Sequence, residues 1–341
     1  MKKAVLAIGA AIVLVGGYFG YSFYSKYYAD NVAKEGYVLV PTNATFEQVL
    51  DSLKPYINNY EQFREVALSK NMDKKIHAGR YKIEDGASNT SLVNMIKAGN
   101  QTEDSFRIGD FGDVYQMVGR VSRKTEADSL TFVNDLNGIA KAKGYNNAED
   151  LKKYFFIDTY HFYWTVKPKD FFKKFEDQYN EFWNDERKAK EKKLGVTREQ
   201  VYALASIVYK ESGGKTDEQK TIAGLYLNRY KKGMKLQSDP TVIYAINKET
   251  NFKDEIKRVF YKHLKVASPY NTYAMAGIPP GPICVVDKNS VDAVLNHENN
   301  NYIFMCADPQ RFGYHKFTDN AEEHARNAKA YQDWLNSKNI K

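Results

Sequence analysis

The chain has 341 residues, of which 43% are apolar and 27% charged, with a net charge of +8; this excludes a disordered or low-complexity protein and leaves room for two or three folded domains. The basic residues form no single block, so the charge favours encounter with an anionic surface and marks no nucleic-acid groove. Its 26 Tyr, 19 Phe and 3 Trp supply ring faces and hydroxyls suited to a polar ligand such as a sugar or a peptide.

In chain order, the first element is an uncharged run from Ala4 to Ser25, preceded by Lys2 and Lys3 and followed by Lys26. About 20 apolar residues cross a hydrocarbon core as one helix. The two leading lysines predict the N-terminal end in the cytoplasm and everything after Lys26 outside, beyond the reach of nucleic acid. The stretch is long for a signal peptide and no A-x-A site follows it, so an uncleaved anchor is expected over a cleaved leader.

Tyr37 to Pro41 reads as a strand and Thr45 to Leu53 as a capped amphipathic helix. His77 to Ile83 repeats the strand, and Ser91 to Ala98 the helix, stopped by Gly99, which predicts a small α+β module. Residues 105–150 are polar with mixed charges and give no clear element. Phe155 to Trp164 is an aromatic strand or loop, expected in the core more than along a ligand groove. Lys169 to Lys193 reads as one charged helix with an aromatic seam of Phe172, Phe175, Tyr179 and Phe182.

From Thr197 onward distinctive signals crowd together, and the functional domain is expected there. Thr197 and Gln200 form a capping-box start, Val201, Leu204, Ala205 and Val208 share one face, and Gly213 with Gly214 marks the stop. Glu211 therefore falls in the last turn, facing the negative end of the helix macrodipole beside an apolar surface. Both effects raise a carboxyl pKa, as a general acid requires.

Other chemistries fit less well. His77, His161, His263, His297, His315 and His324 show no short ligand spacing, so neither a metal site nor a cofactor is expected. Ser212 and Lys215 make an S-x-x-K, but the companion motifs of penicillin-binding enzymes are missing and two glycines fill the spacer. Cys284 and Cys306 are compatible with a disulfide or with two buried thiols.

The polar residues near Glu211 are more telling. Asp239 precedes Pro240 and reads as the cap of a helix through TVIYAI. Asn228, Gln237, Asp239, Thr241, Tyr244, Tyr270, Asn271 and Tyr273 together form a hydrogen-bonding inventory appropriate to a sugar site.

The segments LASIVYKES, LYLNRYKKGMKLQSDPTVIY, SPYNTYAMAGIPPGPI and YIFMCAD followed by HKF resemble, in order and spacing, the YceG-like family of endolytic murein transglycosylases. The resemblance covers Phe155 to about Leu335, while VPTNATFEQVLDSL and IHAGRYKIEDGASNTSLVNMIKAG resemble the family's LysM-like part. It implies an α+β protein of the bacterial inner (cytoplasmic) membrane: residues 1–26 as cytoplasmic tip and single transmembrane helix, 35–105 as LysM-like subdomain, 106–154 as connecting region and 155–338 as a mixed α+β catalytic domain on the periplasmic side.

By that resemblance Glu211 is the catalytic glutamate, and Tyr209 stands where the family often has a first glutamate. The family's strand-and-turn signature is missing between residues 101 and 130. The implied substrate is the glycan strand of peptidoglycan, cut between N-acetylmuramic acid and N-acetylglucosamine without water, and the implied partners are peptidoglycan synthases. Within this scheme Gln237 and Asp239 would orient sugar and loop, with Tyr270, Asn271 and Tyr273 on the glycan or its acetamido group. A noncatalytic wall-binding protein and a muramidase-type hydrolase remain the alternatives.

Overall fold

An uncharged run with no polar stripe has no reason to bury one face, and here it forms a single long helix, α1 (Lys2–Tyr27), exposed from Leu6 to Tyr24. Its segment Leu6–Tyr27 is long and apolar enough to cross a membrane. The computed structural model describes residues 2–253, 256 and 258–338, which divide into two units. One holds Met1–Phe106, Ser122–Asp128 and His161–Lys167; the other holds Arg107–Val121, Ser129–Tyr160 and Pro168–Lys341.

In the first unit, β1 (Gly36–Val40) pairs antiparallel with β2 (Gly79–Ile83), placing Val38 opposite Tyr81. Helices α2 (Phe46–Leu53), α3 (Tyr60–Ser69) and α4 (Asn89–Ala98) cover this ribbon around Val40, Leu50, Phe63, Val66, Tyr81 and Ile96, all buried. The cap expected for α2 is Thr45, which forms a capping box with Gln48, and Gly99 ends α4 with a φ of 72°. Helix α3 goes beyond the strand–helix, strand–helix expectation; its buried Phe63, Val66 and Ala67 follow helical spacing within an otherwise polar run. The end of α1 is fastened to this unit: Tyr27 donates to Ser69 (3.2 Å), Lys26 to Glu65 (2.5 Å), and buried Asn89 donates to the Lys26 carbonyl (2.8 Å).

Strand β3 (Asp104–Ile108) opens the stretch that gave no clear element, and two helices follow it, α5 (Val114–Val121) and α6 (Ser129–Ala142). Their buried residues, Val114, Met117, Val118 and Val121, then Phe132, Leu136 and Ala140, are a sparse helical pattern that the surrounding charges conceal. After β4 (Asp158–Phe162), the single charged helix expected over Lys169–Lys193 is two: α7 (Pro168–Phe182) and α8 (Asp185–Leu194). Asn184 breaks them apart by accepting from Arg187 N as the cap of α8, and Trp183 turns inward at the joint. The aromatic seam of α7 is core, packed with Phe155, Tyr154 and Tyr202.

Helix α9 (Arg198–Ser212) is the centre of the second unit, buried from Val201 through Val208 and packed against α10 (Thr216–Lys231) and α12 (Lys288–Leu295). Between these lies α11 (Asp239–Glu249); a hairpin of β5 (Phe304–Ala307) and β6 (His315–Thr318) and then α13 (Ala321–Ser337) complete it.

Candidate active site

A helix buried on nearly every side can expose a polar group only at its ends, and α9 does so at its last turn. Its start is the Thr197–Gln200 capping box, and its stop is the pair Gly213 and Gly214, both left-handed with φ of 58° and 80°. Gly214 N returns to the Tyr209 carbonyl (3.2 Å), which fixes the turn that carries Glu211. Glu211 is partly exposed, at the edge of a cavity of about 380 Å³ whose walls are α10, the segment before α11, Tyr273 and the β5–β6 hairpin.

Two hydroxyls donate to the same carboxylate atom. Ser238 reaches Oε1 of Glu211 at 2.6 Å and Tyr226, from α10, at 2.9 Å. Oε2 has no hydrogen-bond partner among the described residues. Burial raises the Glu211 pKa above the ordinary carboxylate range, against the two hydroxyl donors and the His315 charge, which favour the anion; the nearby Asp239 charge adds to the rise.

Ser238 is placed by an unusual stretch of backbone. The helix cap falls on Ser238 and not on Asp239 as expected, so that Asp239 is the first residue of α11. A serine here would normally accept from the first turn of its helix, but this one makes no side-chain cap and gives its hydroxyl to Glu211 instead. Gln237, just before it, is a non-glycine residue at a φ of 55°. The turn at Thr272 holds both: Gln237 N donates to the Thr272 carbonyl (3.2 Å) and Ser238 N to its hydroxyl (2.9 Å).

Arg229 supports the opposite wall. It is buried without a carboxylate, donating to the carbonyls of Lys235 (2.9 Å) and Ile303 (2.8 Å) and to Gln237 Oε1. Burial lowers its pKa. It thereby ties the loop before α11 to the strand entering the hairpin. His315 on β6 meets buried Glu218 through its backbone N (2.8 Å) and its ring Nδ1 (3.1 Å). His324 stacks on Phe304 at 4.9 Å, and burial lowers its pKa.

The residues singled out from sequence separate into three groups. Glu211, Gln237, Asp239 and Tyr273 line one cavity, with Tyr273 donating to Asp239 at 2.7 Å. Tyr244 and Tyr270 line a different cavity. Asn228, Thr241 and Asn271 turn their polar groups on the protein: Asn228 on Asn300 and Tyr302, Thr241 on Ser238 and Thr272, Asn271 on the carbonyls of Leu264 and Val266. Tyr226, Ser238, Arg229 and His315 escaped selection although they lie inside the quoted motifs. Ser238 in particular was hidden by the Asp–Pro signal beside it.

Other sequence expectations are resolved nearby. Ser212 donates to the Tyr209 carbonyl (3.2 Å) and Lys215 to that of Gly313 (3.0 Å), so they make no serine–lysine pair. Cys284 is buried and Cys306 faces the Glu211 cavity; both are free thiols.

Similarity to known proteins agrees with the motifs. Over 154 residues the chain is 39% identical to an endolytic murein transglycosylase of Bacillus subtilis (strain 168), a match spanning 45% of this chain and 39% of that protein. It is 29% identical over 139 residues to an endolytic murein transglycosylase of Streptococcus pneumoniae (strain D39), spanning 40% of this chain and 24% of that protein. The chain thus matches about two-fifths or less of these relatives' length. The crystal structure of a putative yceG-like protein from Listeria monocytogenes superposes with a TM-score of 0.57 at 23% identity, covering 86% of this chain and 98% of that one, which establishes a shared fold. The model of the YceG-like family matches residues 38–330, and the chain belongs to that family.

Proposed function

We propose that this protein is a membrane-anchored endolytic lytic transglycosylase of peptidoglycan, with Glu211 as its single acid and base. The observation that carries the reading is Ser238: a helix-capping hydroxyl diverted onto one oxygen of a half-buried carboxyl, beside a strained Gln237, is a local rule broken at a cavity wall. The relatives' name, endolytic murein transglycosylase, supplies the substrate class.

Burial favours the protonated form of Glu211, and Oε2, which takes neither hydroxyl, is the oxygen left to hold the proton. That proton passes to the glycosidic oxygen as the bond from the muramic acid C1 breaks. The carboxylate formed, held by Tyr226 and Ser238, then takes the proton of the C6 hydroxyl while that oxygen attacks C1, closing a 1,6-anhydro ring and restoring the acid. Gln237, Asp239 and Tyr273 are positioned to hold the sugar, whereas Asn228, Thr241 and Asn271 shape the walls. Helix α1 serves as the anchor with the rest of the chain on the outer side, the β1–α4 unit as the LysM-like subdomain, and the cut would end strand growth beside the synthases.

A hydrolase is the second reading, because Asp239 lines the same cavity and its charge bears on Glu211. An inverting or retaining hydrolase uses such a second carboxylate. Mass spectrometry of the products from un-crosslinked glycan strands, using the full chain in detergent, separates the readings. Anhydro ends are expected; reducing ends that have gained water would make it a hydrolase, and no cleavage by folded protein would leave a binding protein.

The pH profile gives a further expectation. Activity falls as pH rises through the Glu211 pKa, since the first step needs the proton. Tyr226→Phe removes a donor that favours the carboxylate, so this falling limb moves to higher pH. A limb left in place, or moved lower, would remove Tyr226 from the tuning of Glu211.

A further inference from the structure

The second cavity, about 490 Å³, belongs to the same unit but not to the Glu211 site. Tyr244 and Tyr270 form its aromatic wall, edge to face with centroids 4.7 Å apart. The ammonium of Lys248 lies 4.6 Å from the Tyr270 ring centre and 5.8 Å from that of Tyr244. Its two lysine neighbours are engaged: Lys152 with Glu149, the Tyr244 hydroxyl and the Pro282 carbonyl, and Lys153 with Glu199. Lys248 has no hydrogen bond or ion pair among the described residues. Its side chain is exposed at the cavity mouth, so the ammonium is open to a ligand.

The rest of the lining says which anion belongs there. Asp113 and Asp150 also face the cavity, each using one oxygen to accept backbone N–H groups, from Tyr115 and Gln116 and from Asn146 and Asn147. With the other charges paired, the lining leaves one cation on an aromatic wall and two carboxylates in the same cavity. That arrangement repels a polyanion and matches a molecule bearing one negative and one positive group.

We infer that this cavity binds a short peptide carrying a free carboxylate and a free amine, with the carboxylate on Lys248, apolar side chains on Tyr244 and Tyr270, and the amine toward Asp113 and Asp150. Resting on the function proposed above, the ligand is the stem peptide of peptidoglycan. Helix α11 links the two sites: Asp239 begins it in the Glu211 cavity, and Lys248 stands about 14 Å further along its axis at 1.5 Å per residue.

Calorimetry with the full chain in detergent tests this, titrating a synthetic stem tetrapeptide with a free C-terminal carboxylate and a free side-chain amine, its C-terminal amide, and its side-chain N-acetyl form. The peptide is expected to bind, with amidation or acetylation each weakening it about tenfold, as loss of one charge-assisted contact does. Lys248→Met is expected to weaken the acid by a similar factor and to leave the amide's affinity where it was. An amide that binds as tightly as the acid overturns the assignment, and that comparison needs no variant to fold. Peptide binding requires no cleavage and is measured equally in Glu211→Gln. Anhydro products without peptide binding overturn the peptide site alone; peptide binding by a protein that cuts no glycan overturns the transglycosylase alone.

Discussion

Glu211→Gln is expected to lower the rate of glycan cleavage by at least about 10³-fold, within the range a positioned acid–base group supplies. The substitution keeps an oxygen for the Tyr226 and Ser238 hydroxyls to donate to, so the cavity keeps its shape and binding of strands is retained. A residual rate within tenfold of wild type would move the chemistry elsewhere, with Asp239 the first residue to test. The same variant carries a stability signature. Glu211 holds its proton more tightly folded than unfolded, because its pKa is raised by burial. The stability this adds is fully present below the unfolded glutamate pKa and is lost as pH rises through the folded value. Glutamine has no such loss. Thermal melts should therefore show the variant more stable than wild type near neutral pH, with the gap closing in acid. A gap independent of pH would mean that the Glu211 pKa is not raised on folding.

Phe175→Ala is expected to cost about 3–5 kcal/mol, the usual loss for a large ring deleted from a packed core. The ring is fully buried among others that include Phe155 at 4.9 Å, Tyr160 at 4.5 Å and Phe171 at 4.8 Å between centroids. Against a typical total of about 5–15 kcal/mol, such a loss leaves a marginal unit. Denaturant midpoints with an unchanged slope measure it. A cost below about 1 kcal/mol would show that the neighbouring rings collapse into the space.

That aromatic seam was legible because four rings at helical spacing stand out from a charged background. The converse case hid α5 and α6, whose apolar residues are as regular but smaller and fewer, and α3, which has only three buried positions. The break between α7 and α8 turns on Asn184, a capping residue within what otherwise reads as one charged helix. At the candidate site, Glu211 was legible from position alone: a carboxyl in the last turn of an apolar helix conflicts with both dipole and surroundings. Its hydroxyl partners were not. Tyr226 lies a helix away, and Ser238 looks like an ordinary cap until the chain folds and shows that its hydroxyl caps nothing. Asn271 and Thr241 are the opposite lesson, since residue types suited to sugars are equally suited to pinning loops, and only burial separates the two uses.

The fastening of α1 bears on how far this protein can reach. No flexible linker separates Tyr27 from the first unit: the helix runs straight into hydrogen bonds from Asn89, to Ser69 and to Glu65. With α1 as the proposed membrane anchor, the β1–α4 unit stands on a stiff post instead of a tether. A tethered module samples a volume that grows with linker length, whereas a posted one surveys a thin layer at fixed height. Whatever that unit binds would then be met only within that layer. Lengthening the joint with a flexible insert after Tyr27 would trade that confinement for range without altering any residue of the unit itself.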